Sequence, residues 1–422
     1  MKSTSYINKR NIINSPNINM LVFLLGKLVS LFGTRIMNFA IGLYVLKVTG
    51  SGMSFALTMI VSTIPAIIIS PFAGVFADKL DRKTVVVITD LLCGTLLMVT
   101  YIVTLRIGLS LNLILITIFL LSIFNTFFNI TMEASIPNIV DESRLTKINS
   151  YSSSITSMAA IVGPTLGGLI YGLVPIEMFL LIAGICFILS AISETFINFN
   201  FNNTPVSEKS NEKIWSEIKS GLNYVKSKKA IFSILAFSIF TNFVFSAYTV
   251  SLPHIINIQL GFNSEQYGLI QSSSAIGSLI FSIIYSLLPD NKSKYKHFIS
   301  ALVILSILMM ITGIPTLSIF NTAPQSSLLL YFILLNFSIG GALMFVNLPA
   351  FILIQRETSD EYRGRVNGLF GTMSLSIQPL GMTIGGLFTD YISSFILVLI
   401  CGILSLAISF ILSRITELKE GI

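Results

Sequence analysis

Twelve apolar runs of roughly 20 residues follow one another along the 422-residue chain, separated by short polar or Gly/Pro-containing segments. A helix of that length crosses about 30 Å of hydrocarbon. Residues are 53% hydrophobic and only 11% charged, against about a quarter charged in a soluble globule, so lipid is predicted to be the main solvent. The fold class that follows is an all-α membrane protein of twelve transmembrane helices, at 19–47, 52–77, 84–106, 111–134, 148–172, 175–197, 230–257, 265–288, 297–316, 327–353, 366–389 and 391–413.

The polar start, MKSTSYINKRNIINSPN, runs into the first apolar stretch without a small-residue cleavage site, so no removable signal peptide is expected. Lys and Arg collect in cytoplasmic loops. With the N-terminus inside, the inward segments hold Lys9, Arg10, Lys79, Arg82, Lys83, Arg144, Lys147, six lysines between 209 and 229, Arg363, Arg365 and Arg414, whereas the outward ones hold Lys47 and Arg106. The prediction is a multi-pass protein of the inner or plasma membrane with both termini cytoplasmic. The formal charge of +7 is then a signature of orientation and not of nucleic-acid binding. Cys93, Cys186 and Cys401 each fall inside an apolar run without metal-like spacing, and read as packing residues.

The longest polar stretch, 198–229, separates two sets of six runs, giving an N-terminal bundle (1–197), a linker (198–229) and a C-terminal bundle (230–422). In the linker Trp215, Ile218, Leu222 and Val225 recur at helical spacing among Lys and Glu, as in a helix lying on headgroups; a disordered charged linker is the alternative. Sliding the chain by 218 residues superposes Lys147-Ile148-Asn149 on Arg365-Val366-Asn367, and Gly163, Thr165, Gly167, Gly168 and Leu169 on Gly381, Thr383, Gly385, Gly386 and Leu387. Two parallel repeats with a midplane site between them fit alternating access.

Between the second and third runs stands Gly74-Val-Phe-Ala-Asp78-Lys79-Leu-Asp81-Arg82-Lys83. It resembles the major facilitator signature G-x-x-x-D-(R/K)-x-G-R-(R/K), with Asp81 in place of the second Gly. The resemblance implies the major facilitator fold and a cytoplasmic latch of Asp78 and Arg82, with the acid near the N-terminus of span eleven, where a helix dipole favours a carboxylate. Glu133 resembles the acid that joins this latch, and Asp90 is a further candidate. Ala159-Ala160-Ile-Val-Gly163-Pro164-Thr-Leu-Gly167-Gly168 is similar to the G-P-x-x-G-G motif of drug antiporters. Small residues there permit close helix approach and Pro bends the helix. Segments at Ser30-Leu-Phe-Gly33, Thr49-Gly50-Ser51, Ile136-Pro137 and Arg363-Gly-Arg-Val366 resemble the branch that contains macrolide-efflux proteins and the enterobactin exporter.

By that resemblance spans one, four, seven and ten line the cavity. Span one carries Lys27, Ser30, Thr34 and Asn38 within about 80° of one another, with Arg35 beside them. Lys27 either joins the cavity or snorkels; Arg35 meets an anionic ligand group or a structural partner. Span four adds Asn125 and Asn129, span seven Asn242, Ser246 and Thr249, and span ten Asn336 and Asn347, with Phe128, Phe245 and Tyr248 as apolar surface or ordinary packing. No acid lies near the middle of a span, so proton coupling is implied by resemblance, with Glu133 and Asp90 as carriers. His254 is expected to be a hydrogen-bonded residue at a span end.

No G-x-x-x-x-G-K-(S/T) loop occurs, and neither catalysis nor a cofactor is expected. The sequence therefore reads as a monomeric, proton-coupled exporter of small amphipathic compounds such as macrolides. An exporter of an anionic metabolite, such as a siderophore or peptide, is the rival, and a channel or receptor the remote one.

Overall fold

The computed structural model describes residues 16–202, 214–288, 293–320, 322–359 and 361–414. Six helices come first: α1 (Pro16–Thr49), α2 (Gly52–Lys79), α3 (Arg82–Ile107), α4 (Leu111–Ile139), α5 (Leu145–Leu173) and α6 (Ile176–Glu194). The short α7 (Ile214–Ser227) precedes α8 (Lys229–Pro253), α9 (Ser264–Ser286), α10 (Ser293–Ile311), α11 (Gln325–Glu357), α12 (Arg363–Ser376), α13 (Gln378–Tyr391) and α14 (Ser394–Ser413).

Local chemistry sets several starts. Asp81 accepts from the Thr84 backbone N–H (2.9 Å) and hydroxyl (2.6 Å) and so caps α3, which explains an acid where the signature has Gly. Asn263 and Gln266 form a reciprocal capping box on α9. Among the described residues, eleven helices are long and apolar enough to span a membrane. The eleventh predicted span, 366–389, is divided into α12 and α13, because the chain turns at Ile377 just ahead of Pro379. Proline supplies no N–H and its ring crowds the carbonyl four residues back, so a continuous helix over 366–389 is interrupted. At the break Gln378 is tied to α8: its Nε2 donates to Asn242 Oδ1 (3.0 Å) and its carbonyl accepts from Ser246 Oγ (3.1 Å).

The chain forms two compact units. The first comprises Met1–Ile41, Val61–Gly163 and Leu173–Lys209, and its core gathers Phe23, Val86, Phe128, Met132 and Ile148. The second comprises Gly42–Ile60, Pro164–Gly172 and Ser210–Ile422, with one cluster around Ile234, Phe298, Leu353 and Val366 and another of Ala56, Ile60, Val250 and Met382. In the second unit α7 finds a protein surface where sequence alone indicates headgroups. Val225 is buried in the larger cluster, the Tyr224 ring stacks on Tyr362 (4.4 Å between centroids), and Tyr224 Oη donates to the Glu357 carbonyl (3.2 Å) and accepts from Ser359 N–H (3.1 Å). The Ser359 N–H donation holds the Tyr224 phenol below its usual range. The side chains of Trp215 and Ile218 lie outside the described residues.

Candidate functional site

Within the first unit, the polar face of α1 meets a different helix at each turn. Lys27 Nζ donates to Ser152 Oγ on α5 (2.6 Å) and lies 3.5 Å from Glu133 on α4. Ser30 Oγ contacts both Asp90 oxygens on α3 (3.0 and 3.2 Å). Thr34 Oγ1 bonds to Asn125 Oδ1 on α4 (3.2 Å). The stripe is thus three separate attachments. Lys27 is buried; Glu133, its side chain 68% exposed, opens into a vestibule of about 480 Å³ that Asn149, Ser152 and Thr156 also line.

A second cavity, of about 180 Å³, lies between α1, α2, α4 and α6. Thr34, Asn38, Ser62, Ser122, Asn125 and Asn129 give it hydrogen-bonding groups, and Met37, Ile118 and Phe187 give it apolar ones. Among the described residues, none of those lining it is charged. Asn125 and Asn129 each donate to the carbonyl one turn back (2.9 and 2.8 Å), which leaves their amide oxygens to face outward partners, Thr34 in the case of Asn125. Arg35 is exposed beside this face, and its Cβ lies close enough to Gly163 that a methyl there would stand 3.0 Å away.

Of the expected latch, Arg82 Nη1 donates to the Ala134 carbonyl (2.7 Å) and to Asn138 Oδ1 (2.6 Å), holding the end of α4. That acceptor is a backbone atom, invisible in a motif. The Asp78 and Lys79 side chains lie outside the described residues, Lys83 is partly exposed, and a methyl on Gly74 would meet nothing within 4 Å.

Apart from Phe128, the remaining expected cavity residues are in the second unit and are largely engaged with their own helices. Asn242 is joined to Gln378, Thr249 donates to the Ser246 carbonyl (2.8 Å) and Asn336, buried, donates to the Phe332 carbonyl (3.0 Å). Tyr248, 1% exposed, meets Thr312 Oγ1 (3.0 Å), with the Phe245 ring 5.7 Å away. Asn347 is exposed and Phe128 is in the first unit's core. His254 Nδ1 is 3.1 Å from Ser394 Oγ.

Glycines of the repeated segment mark close helix approaches in the second unit. A methyl on Gly168 would overlap the Ser264 carbonyl oxygen, and one on Gly268 would overlap the Pro164 carbonyl, so α5 and α9 touch backbone to backbone. Thr165 and Ser272 hydroxyls bond alongside (2.6 Å), and Gly167 is buried. In the second copy Gly381 and Gly385 pack on Phe243 and Ala247, and Gly386 on Gly52 and Met53. Next to it Asp390 accepts from Ser51 Oγ (2.7 Å) and from the Gly52 and Met53 N–H groups (2.5 and 3.2 Å), capping α2 from a helix 338 residues away. Nothing in the sequence pairs Asp390 with the start of α2, because only the packing of the two helices brings them together.

Efflux proteins and transporters share this architecture. Macrolide efflux protein A of Streptococcus pyogenes is 25% identical over 400 residues, covering 94% of this chain and 95% of the relative. The multidrug efflux pump Tap of Mycolicibacterium fortuitum is 22% identical over 388 residues, 89% and 90% of the two chains. A bacterial homologue of the iron transporter ferroportin, solved in an inward-facing state, has the same fold at 18% identity, with a TM-score of 0.69 over 93% of this chain and 98% of that one. The Major Facilitator Superfamily model matches residues 23–377, and this twelve-span membrane transporter belongs to that superfamily.

Proposed function

We propose that the protein exports small amphipathic, macrolide-like compounds across the plasma membrane by alternating access between two six-helix bundles, in exchange for protons. The observation that carries this reading is the cavity between α1, α2, α4 and α6, where six uncharged polar side chains face apolar ones. Such a lining hydrogen-bonds hydroxyls and carbonyls while covering hydrocarbon, and it asks for no counter-charge on the ligand. Similarity to the macrolide and multidrug pumps supports the efflux direction. The distribution of basic residues supports cytoplasmic termini, and on that orientation the vestibule at Lys27 and Glu133 is the substrate's inner entrance and Asp78 with Arg82 its gate. A monomer suffices for this cycle.

The test is erythromycin accumulation in cells depleted of their own exporters, with and without a protonophore. Expression of the protein should lower accumulation severalfold, and the protonophore should abolish the difference. Accumulation that is indifferent to expression for macrolides and other neutral amphipathic compounds alike would overturn the substrate class.

Arg35 favours a second reading. Its exposed guanidinium on a spanning helix suits an anionic metabolite. Under that reading Arg35→Gln weakens export of acidic compounds far more than of neutral ones; equal effects exclude it.

A further inference from the structure

Resemblance names Asp90 as a candidate proton carrier, and the first unit gives it a buried acidic partner, Glu194, that the transport motifs do not include. Asp90 on α3 and Glu194 at the end of α6 are both 0% exposed. Their carboxyl groups face each other within hydrogen-bonding range. Two hydroxyls serve them: Ser30 Oγ reaches both Asp90 oxygens, Ser190 Oγ donates to Glu194 Oε1 (3.2 Å), and the two serine oxygens are 3.3 Å apart. The hydroxyls bring two protons to four carboxylate oxygens, and Glu194 Oε2 is left buried without a donor.

One added proton completes this set. Placed on either carboxyl it lets that group donate to the other, satisfies the orphaned oxygen and removes the juxtaposition of two like charges in a dry interior. Among the described residues no cation offers an alternative. Lys27, one turn back along α1, is directed to Ser152 and Glu133, and the remaining ionisable neighbour, Cys93 on α3, brings no positive charge. Gly26 presses α1 against the pair, since a methyl there would stand 3.2 Å from Glu194 Oε1.

We propose that Asp90 and Glu194 share one buried proton and form the proton-binding site of this transporter. The proposal rests on the proton-coupled reading for its part in the cycle. Loading converts a carboxylate and a hydronium into a carboxyl and water; release returns the proton to water and leaves two carboxylates that repel. The site communicates with the substrate cavity through two helices. Thr34 lies one turn beyond Ser30 on α1 and Phe187 one turn before Ser190 on α6, and both line the 180 Å³ cavity. Losing the proton sets two carboxylates against each other and so favours a shift of α6 relative to α3, and that shift carries Phe187 beside the ligand.

The experiment is an infrared pH titration of the full-length protein in liposomes. Wild type should show a protonated-carboxyl stretching band that persists at about neutral pH. It should shift in Asp90→Asn and in Glu194→Gln, vanish in the double variant, and be untouched by Glu177→Gln. In the same liposomes a pH gradient should drive erythromycin accumulation at least tenfold less in the double variant, while erythromycin counterflow survives. No band in wild type, or an unchanged band in the double variant, overturns the site whether or not the substituted proteins transport. Gradient-driven transport without the band sinks the site and spares coupled export; the band with gradient-independent transport sinks coupled export and spares the site.

Discussion

In the first copy of the repeated glycine segment, α5 runs unbroken through Pro164 and meets α9 with backbone against backbone at Gly168 and Gly268, while α9 caps its own start through Asn263 and Gln266. In the second copy the chain turns at Ile377, α13 starts afresh, and its glycines approach α2 and α8; the start of α2 is held partly by Asp390, a carboxylate belonging to α13. Position 172, which the 218-residue offset pairs with Asp390, is Gly. One seam therefore closes on shape alone and the other on shape plus charge-assisted hydrogen bonds. Separating α2 from α13 requires breaking bonds that separating α5 from α9 does not, so two seams with a common ancestry need not yield at the same moment.

The most severe way to break the comparison is Met382→Pro, which gives the second copy the proline of the first. Met382 is buried against Ala56, Ile60 and Val250 inside α13, so the change removes a helical donor and core contacts together. A cost of about 3 kcal/mol or more should appear as a large fall in Tm of the detergent-purified protein; an unchanged Tm would mean the asymmetry is accidental. Gly168→Val follows, at about 2–3 kcal/mol from overpacking against Ser264, read the same way; Gly74→Val, with open space beside it, should be nearly neutral.

Asp390→Ala sharpens the contrast. Loss of the cap should cost about 1–2 kcal/mol and speed labelling of a cysteine placed at Ser54 by roughly fivefold or more, with Gly172→Ala in the first seam giving no such acceleration. The smallest effect expected is Asn242→Leu, which strands the Gln378 amide at the helix break and should lower stability by about 1 kcal/mol. A stabilising result would show that the break is sustained by Pro379 alone.

The apolar runs made the spans readable because a membrane demands length and hydrophobicity before anything else. The 218-residue offset was readable because close helix contact restricts both copies to small residues. What sequence could not show were pairings at long separation. Ser30 with Asp90, Arg82 with the Ala134 carbonyl, and Asp390 with the N–H groups of Gly52 and Met53 depend on which helices are neighbours. The interruption at Ile377 was concealed for another reason: the surrounding residues keep a continuous apolar pattern, and Pro379 alone signals that the backbone changes course. Asp81, which stands where the signature has Gly, is a helix cap, a role that shows only in its bond from the Thr84 N–H.

Lys27, Ser30 and Thr34 grip α5, α3 and α4 in succession along one rigid rod. Such a rod behaves as a camshaft whose lobes are locked in phase. A single residue inserted before Lys27 leaves the phase among the three lobes intact, so the rod can be re-seated by turning as a whole. The same insertion between Ser30 and Thr34 offsets the last lobe by about 100° from the other two, and no rotation of the rod restores all three.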